Sequence, residues 1–230
     1  QEHYETVVQA GADLFVIRGA SVSAEHISTS HEPLNLKKFI YELDVPVMVG
    51  GVAGYTQAKH LMRTGAAGVL VGFGGGSAMT TRKGLGISAP MATAIADVAA
   101  ARSDYLDESG GRYVHVIADG GLSRSGDLVK ALALGADAVM IGAPLARASE
   151  APGQGWYWGN EAHSVDFPRG VRTPLGVVGT LEEVLYGPSH HVDGTRNIVG
   201  ALKRAMATCG YLDLKKFQKA EMTLVPEYRG

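Results

Sequence analysis

Three stretches of the chain repeat one pattern: a run of mixed polar and apolar residues, then a glycine, then a short block of apolar residues. They are GADLFVI from Gly11, GAAGVLVG from Gly65 and GADAVMIG from Gly135. Glycine suits the position just past a helix, where the backbone turns left-handed. A block that is apolar on both faces suits a buried parallel strand. PVMVGG from Pro46 and VHVIADGG from Val114 extend the series to five predicted strands. Helical spacing is predicted over LNLKKFIYEL, YTQAKHLMRTG, PMATAIADVAAARSDYL and SGDLVKALALG. Strand and helix therefore alternate, which defines an α/β protein with a parallel sheet.

Five such units fit an open doubly wound sheet or part of a closed (β/α)8 barrel. The strand ends favour the barrel, because they are glycine-rich: GG at Gly50, GFGGG at Gly72, DGG at Asp119 and IGAP at Ile141. No GxGxxG opens a helix after the first strand. The expectation is a single barrel domain over 1–230, with about the last five βα units and C-terminal helices present and the first three units outside this chain. Past Pro144 the pattern changes. APGQGWYWGNEAHSVDFPRGVRTPLGVVG, with both tryptophans, is expected to be a long excursion at the barrel mouth, where loops carry function. Helices are then predicted over NIVGALKRAMATCG and DLKKFQKA.

Composition narrows the picture. The 230 residues are 46% hydrophobic, enough for one sizeable core. The formal net charge of -2 and the lack of a basic block argue against nucleic acid or an anionic membrane as partner. A lone cysteine, Cys209, leaves no internal disulfide and fits a reducing cytoplasm. No apolar run approaches the ~20 residues of a membrane span. No signal peptide is visible. The opening QEHYETVVQAG has the pattern of the end of an amphipathic helix and lacks an initiator methionine, so Gln1 is not expected to be the natural start.

The candidate chemistry gathers at two glycine-rich strand ends. Between the fourth strand and the helix after it lies ADGGLSRSGD, and the fifth strand ends in IGAP. Gly120, Gly121 and Gly142 let backbone N–H groups approach an anion. Ser123 or Ser125 is placed to cap the following helix, and Asp119 to accept sugar hydroxyls. The bland alternative is that these glycines only make tight turns.

ADGG…SGDLVKALALGADAVMIGAP resembles two groups of phosphate-binding barrels, the FMN-dependent 2-hydroxy-acid oxidases and the IMP dehydrogenase/GMP reductase family. The segment by itself does not choose between them. The oxidases' histidine motif, of the SNHGG type, is absent. GFGGGSAMTTR, from Gly72, is instead similar to the active-site loop GxGxGSxCxTR of the IMP dehydrogenase family. GLGISAPMATAIADVA, EAPGQG and ALKRAMATCGYLDLKKFQ resemble further segments of that family in the same order. The likeness covers essentially the whole chain. It is greatest to the related proteins that lack the CBS module.

The resemblance implies a cytoplasmic, homo-oligomeric barrel, a tetramer or higher, that binds a purine nucleoside monophosphate and uses NAD or NADP. Its chemistry is hydride transfer between C2 of the purine and the nicotinamide. Then follows hydrolysis of a covalent thioimidate, or ammonia release in the reductase. By the same resemblance Ser77 holds the 5′-phosphate, Asp119 the ribose, and Gly121 and Gly142 the phosphate. Thr81 is the loop threonine. The carbonyls of Gly74, Gly76 and residue 79 are the expected ligands of a monovalent cation such as K+.

The pattern departs from the family at the centre. The nucleophile position is Met79, and a thioether has no ionisable proton with which to become a thiolate. Cys209 matches a helix position and is expected in the core. The family's nicotinamide-contacting aspartate falls near Arg18, and its next asparagine falls at Gly51. The serine after Gly142 is replaced by Ala143 and Pro144. The flap is shortened to LEEVLYGPSHHVDGTRN and lacks an Arg-Tyr pair. Two further function classes therefore stay open: a silent nucleotide-binding paralogue and an FMN-dependent barrel oxidoreductase.

Other candidates have plainer readings. His190 and His191 are expected at the surface, and His115 in the core or at an edge. Asp104, Asp107 and Glu108 are expected as solvated surface at a helix end. Trp156 and Trp158 are expected as a plug over the mouth or as a base-stacking pair. Arg82 is expected to meet a phosphate or a structural carboxylate. Arg169 and Arg172 are candidate phosphate contacts.

Overall fold

The computed structural model describes residues 2–19, 34–159, 172–223 and 225. In chain order the described elements are α1 (Glu2–Gln9), β1 (Phe15–Arg18), α2 (Leu36–Tyr41), β2 (Val47–Val52), α3 (Tyr55–Arg63), β3 (Gly68–Val71), α4 (Thr81–Leu85), α5 (Met91–Glu108) and β4 (His115–Asp119). They continue with α6 (Ser125–Ala133), β5 (Ala138–Met140), α7 (Ala143–Ala146), β6 (Trp156–Trp158), β7 (Arg172–Pro174), α8 (Leu181–Leu185), α9 (Ile198–Thr208) and α10 (Leu214–Phe217).

Strands β1 to β5 form one sheet in the order β1-β2-β3-β4-β5, and every pairing in it is parallel. A doubly wound sheet would begin in the middle and reverse its order. This sheet never reverses. It has the strand order of a (β/α)8 barrel, and the chain supplies five of that barrel's units. β6 and β7 make a separate antiparallel pair.

Each helix enters its strand as the sequence pattern predicts. Gly11, Gly65 and Gly135 follow α1, α3 and α6 with φ of 85°, 103° and 110°. The strands then divide by alternation. Val47, Val49, Val69, Val71, Val116 and Ala118 form one core with the inward stripes of α3 and α5, notably Leu61, Met62, Ile95 and Val98. Val16, Met48, Leu70, Ile117 and Met140 occupy the other face, the barrel interior. Gly68 lies in register between Met48 and His115 there. A Cβ on it would come within 2.9 Å of Ile117 Cδ1 and 3.2 Å of Met48 Cγ. A second, smaller core joins Leu132 and Ala133 of α6 to Phe217 of α10.

The N-terminal ends of the strands are held by one carboxylate. Asp137, whose side chain is 8% exposed, receives Arg102 Nη1 at 2.9 Å, the Val116 N–H at 2.9 Å and the Tyr113 hydroxyl at 2.7 Å. Lys215 and Gln218, in α10 and just after it, also reach it. Burial pushes its carboxyl up. The bonds from Lys215, the Val116 amide, Tyr113 and Gln218 outweigh that and hold it at about 2, below the ordinary 3.8.

Candidate functional site

At the C-terminal ends of the strands the loops surround a cavity of about 590 Å³. Gly74, Gly76, Ser77, Met79, Thr81, Asp119, Gly121 and Gly142 all line it. The eight residues singled out in the sequence therefore meet in one place, although they come from loops after three different strands.

Two glycine loops are pressed together at the centre of this site. Gly72 has φ of 137°, and a Cβ there would run into the carbonyl oxygen of Asp119. A Cβ on Gly75 would meet the Gly120 carbonyl carbon at 3.4 Å, and one on Gly121, with φ of 72°, the Gly75 oxygen at 3.1 Å. Only glycine lets the 72–76 loop lie directly on the 119–121 loop. Stacked loops without side chains bring bare backbone to the cavity wall, the kind of surface from which anion nests are made. Beyond them the Met79 N–H donates to the Gly76 carbonyl at 3.0 Å, so this carbonyl, one of the expected cation ligands, already accepts one bond. Ser77 is exposed at the rim, Met79 is half-buried against the cavity, and Thr81 is buried as the first residue of α4.

Asp119, at the end of β4, is bound by a residue of β1. Arg18 Nε lies 3.1 Å from Asp119 Oδ2, with side chains 50% and 11% exposed respectively. At the opposite wall the antiparallel pair β6–β7 reaches over the end of β5. The Tyr157 hydroxyl rests on Gly142, 2.7 Å from where a Cβ would stand. Thus a phenolic donor occupies the wall where Ala143 and Pro144 offer no side-chain hydroxyl. Trp158 lines the mouth, with the Arg172 guanidinium 5.5 Å from its ring centre, whereas Trp156 is half-exposed outside the cavity. Arg172 is thereby used to brace an aromatic side chain. Arg169 lies outside the described residues.

Several expectations need correcting. Ser125 is not a cap: Arg124 holds the N-cap position of α6 without a side-chain bond, and the Ser125 N–H donates to the Gly194 carbonyl at 2.8 Å. The segment around Gly194 thus supplies the acceptor at that helix end. Cys209 is exposed at the end of α9, because the core-facing stripe of that helix has already ended. His115 is exposed at the start of β4, its ring edge-on to Tyr113. Arg82 is exposed on α4 with no ion pair among the described residues. His190 and His191 are exposed as expected, and no group of metal-ligating side chains occurs among the described residues. Glu108 is solvated but organised. Arg63 and Lys59 bind it, with Arg63 the larger influence, and hold its carboxyl at about 2.

Sequence reasoning did not single out Tyr157, and it noted Arg18 only as a departure. WYW, directly after the EAPGQG motif, was the available signal for the first. For the second there was none, because the pairing joins residues about 100 positions apart on strands that do not touch.

A parallel β/α sheet with glycine-rich loops at its strand ends is the architecture that phosphate-binding barrels use. Comparison with known proteins specifies which. The profile of the IMP dehydrogenase / GMP reductase domain matches residues 1–165, and the chain belongs to that family. It is 58% identical over 222 residues to an uncharacterized oxidoreductase of Mycolicibacterium smegmatis, covering 95% of this chain and 59% of that protein. It is 32% identical to an inosine-5′-monophosphate dehydrogenase of Aquifex aeolicus over 239 residues, covering 93% of this chain and 44% of that one. The crystal structure of an IMP dehydrogenase/GMP reductase-like protein from Corynebacterium glutamicum superposes with a TM-score of 0.87 at 56% identity, covering 96% of this chain and 57% of that one. The chain thus spans well under two thirds of these relatives. No helix among the described residues is long and apolar enough to cross a membrane.

Proposed function

We propose that the cavity is the nucleotide site of a purine nucleoside monophosphate oxidoreductase that works with NAD or NADP. The observation that carries the reading is the stacking of the 72–76 loop on the 119–121 loop, with Ser77 and Gly142 at the same cavity. In this reading the phosphate lies against the Gly121 and Gly142 amides and the Ser77 and Tyr157 hydroxyls, and the sugar lies at Asp119. Thr81 and Met79 face the base. The nicotinamide, when bound, accepts or supplies the hydride at purine C2. The carbonyls of Gly74, Gly76 and Met79 are the ligands proposed for K+, with Gly76 sharing its oxygen with the Met79 amide. Assembly as a tetramer or higher in the cytoplasm goes with the same reading.

Met79 closes the thioimidate route, because its sulfur carries no proton to lose. Either hydride transfer proceeds here without a covalent intermediate, or the site binds nucleotide without turnover. The half-buried thioether facing the cavity supports the second reading as a specific rival.

The deciding experiment titrates the protein with IMP, GMP and FMN by calorimetry and assays NAD-linked turnover in the same samples. Binding of IMP or GMP is expected. Turnover then establishes a route without cysteine, and binding without turnover establishes the silent paralogue. Met79→Cys, made in a Cys209→Ser background because Cys209 is itself exposed, is expected to give a single thiol that iodoacetamide alkylates and nucleotide protects. A yellow protein that prefers FMN would replace both readings with the flavin one, and no binding of any of the three would refute the site.

A further inference from the structure

Of the side chains lining the cavity, two carry formal charge: Arg18 and Asp119. They are bonded to each other. Among the described residues the ligand-free site is therefore neutral, although it contains a carboxylate that is nearly out of water. A phosphate-bearing ligand brings negative charge. An unpaired Asp119 would oppose that ligand in a place where screening by water is weak.

We propose that Arg18 is a positioning residue for ligand binding that acts through Asp119: it neutralises and orients the carboxylate so that a phosphate ester can occupy the same cavity. The proposal rests on reading the cavity as a nucleotide site. Three observations support it. The contact runs from Nε to Oδ2 at 3.1 Å, close enough for the arginine's charge to offset that of the carboxylate. Arg18 lies in register with Gly50, and Gly51 follows, so the neighbouring strand has no side chain in the path of the arginine. Finally, among the described residues no other cationic side chain lines the cavity.

The test is a double-mutant cycle read by titration calorimetry with IMP and, separately, with inorganic phosphate. Arg18→Gln is expected to weaken IMP binding about tenfold in the Asp119 protein. In the Asp119→Asn background, where there is no charge to neutralise, the same change is expected to have little effect. Arg18→Lys is expected to recover part of the loss, because it restores charge without the planar fork. Phosphate affinity is expected to follow the same order. Equal losses in both backgrounds would overturn the proposal by placing Arg18 directly on the ligand. Binding that Arg18→Gln leaves unchanged would overturn it while leaving the nucleotide reading intact. If the wild-type protein binds neither probe, both fall together. Circular dichroism spectra of the variants that match wild type exclude misfolding as the cause of any loss.

Discussion

The two ends of the parallel sheet are built by opposite means. At the N-terminal end, side chains do the joining: Asp137 alone gathers Arg102, Tyr113, Lys215, Gln218 and the Val116 amide. At the C-terminal end the backbone does it. The 72–76 and 119–121 loops lie against each other because glycine stands at their contact points, and among the described residues the ion pair there joins Arg18 to Asp119. A buried carboxylate with every lone pair engaged is rigid and offers nothing to a ligand. A pair of glycine loops has no side chains to cover its backbone. On the proposed function the sheet thus separates stability from binding along its own axis, as barrels generally do.

Substitutions at each end can break this contrast. The largest effect is expected from Asp137→Asn. It leaves Lys215 and Arg102 without their counter-charge, and should cost about 3 kcal/mol in urea unfolding while nucleotide affinity in the folded fraction stays the same. The same variant carries a pH signature. The Asp137 carboxyl sits at about 2 in the folded protein, against an ordinary value of 3.8. A lowered carboxyl contributes stability above the unfolded value and loses it as pH falls through the folded one. Wild-type stability should therefore fall between about pH 4 and pH 2, and Asp137→Asn should lack that part of the fall.

Gly72→Ala comes next, at the other end. It places a Cβ against the Asp119 carbonyl at a φ of 137°. The expected cost is about 2 kcal/mol, with nucleotide binding lost together with the loop stacking. A variant that binds normally would show the cradle to be dispensable. Tyr157→Phe is the mildest. It removes one hydroxyl over Gly142 and should weaken phosphate-ester binding by about 1 kcal/mol, with unfolding unchanged.

Much of the fold was legible because each unit announces itself: a left-handed glycine after a helix, then a short apolar block. Gly65 before β3 and Gly135 before β5 are the clearest cases, and both have the positive φ that the pattern requires. The loops after β3 and β4 were legible for a related reason, since a run such as GFGGG has few uses other than close backbone approach. What failed was long-range. Ser125 looked like a helix cap, but the Gly194 carbonyl reaches that position from the other side of the flap. Cys209 looked buried because it follows a helical run with apolar residues, but it is the C-cap of α9 and lies exposed there. The β6–β7 pair escaped notice because WYW and RTP are separated by a long interval and neither alternates over more than three residues.

The strictly sequential strand order also bears on how the protein is made. Each strand pairs only with the strands before and after it, at separations of roughly 20 to 50 residues. Among these five strands none has to wait for a distant partner or thread between two already placed. A chain emerging from the ribosome can add one β-α unit at a time to the growing edge, and the last unit laid down, β5, brings with it Asp137, which locks the base of the sheet only once α10 has arrived.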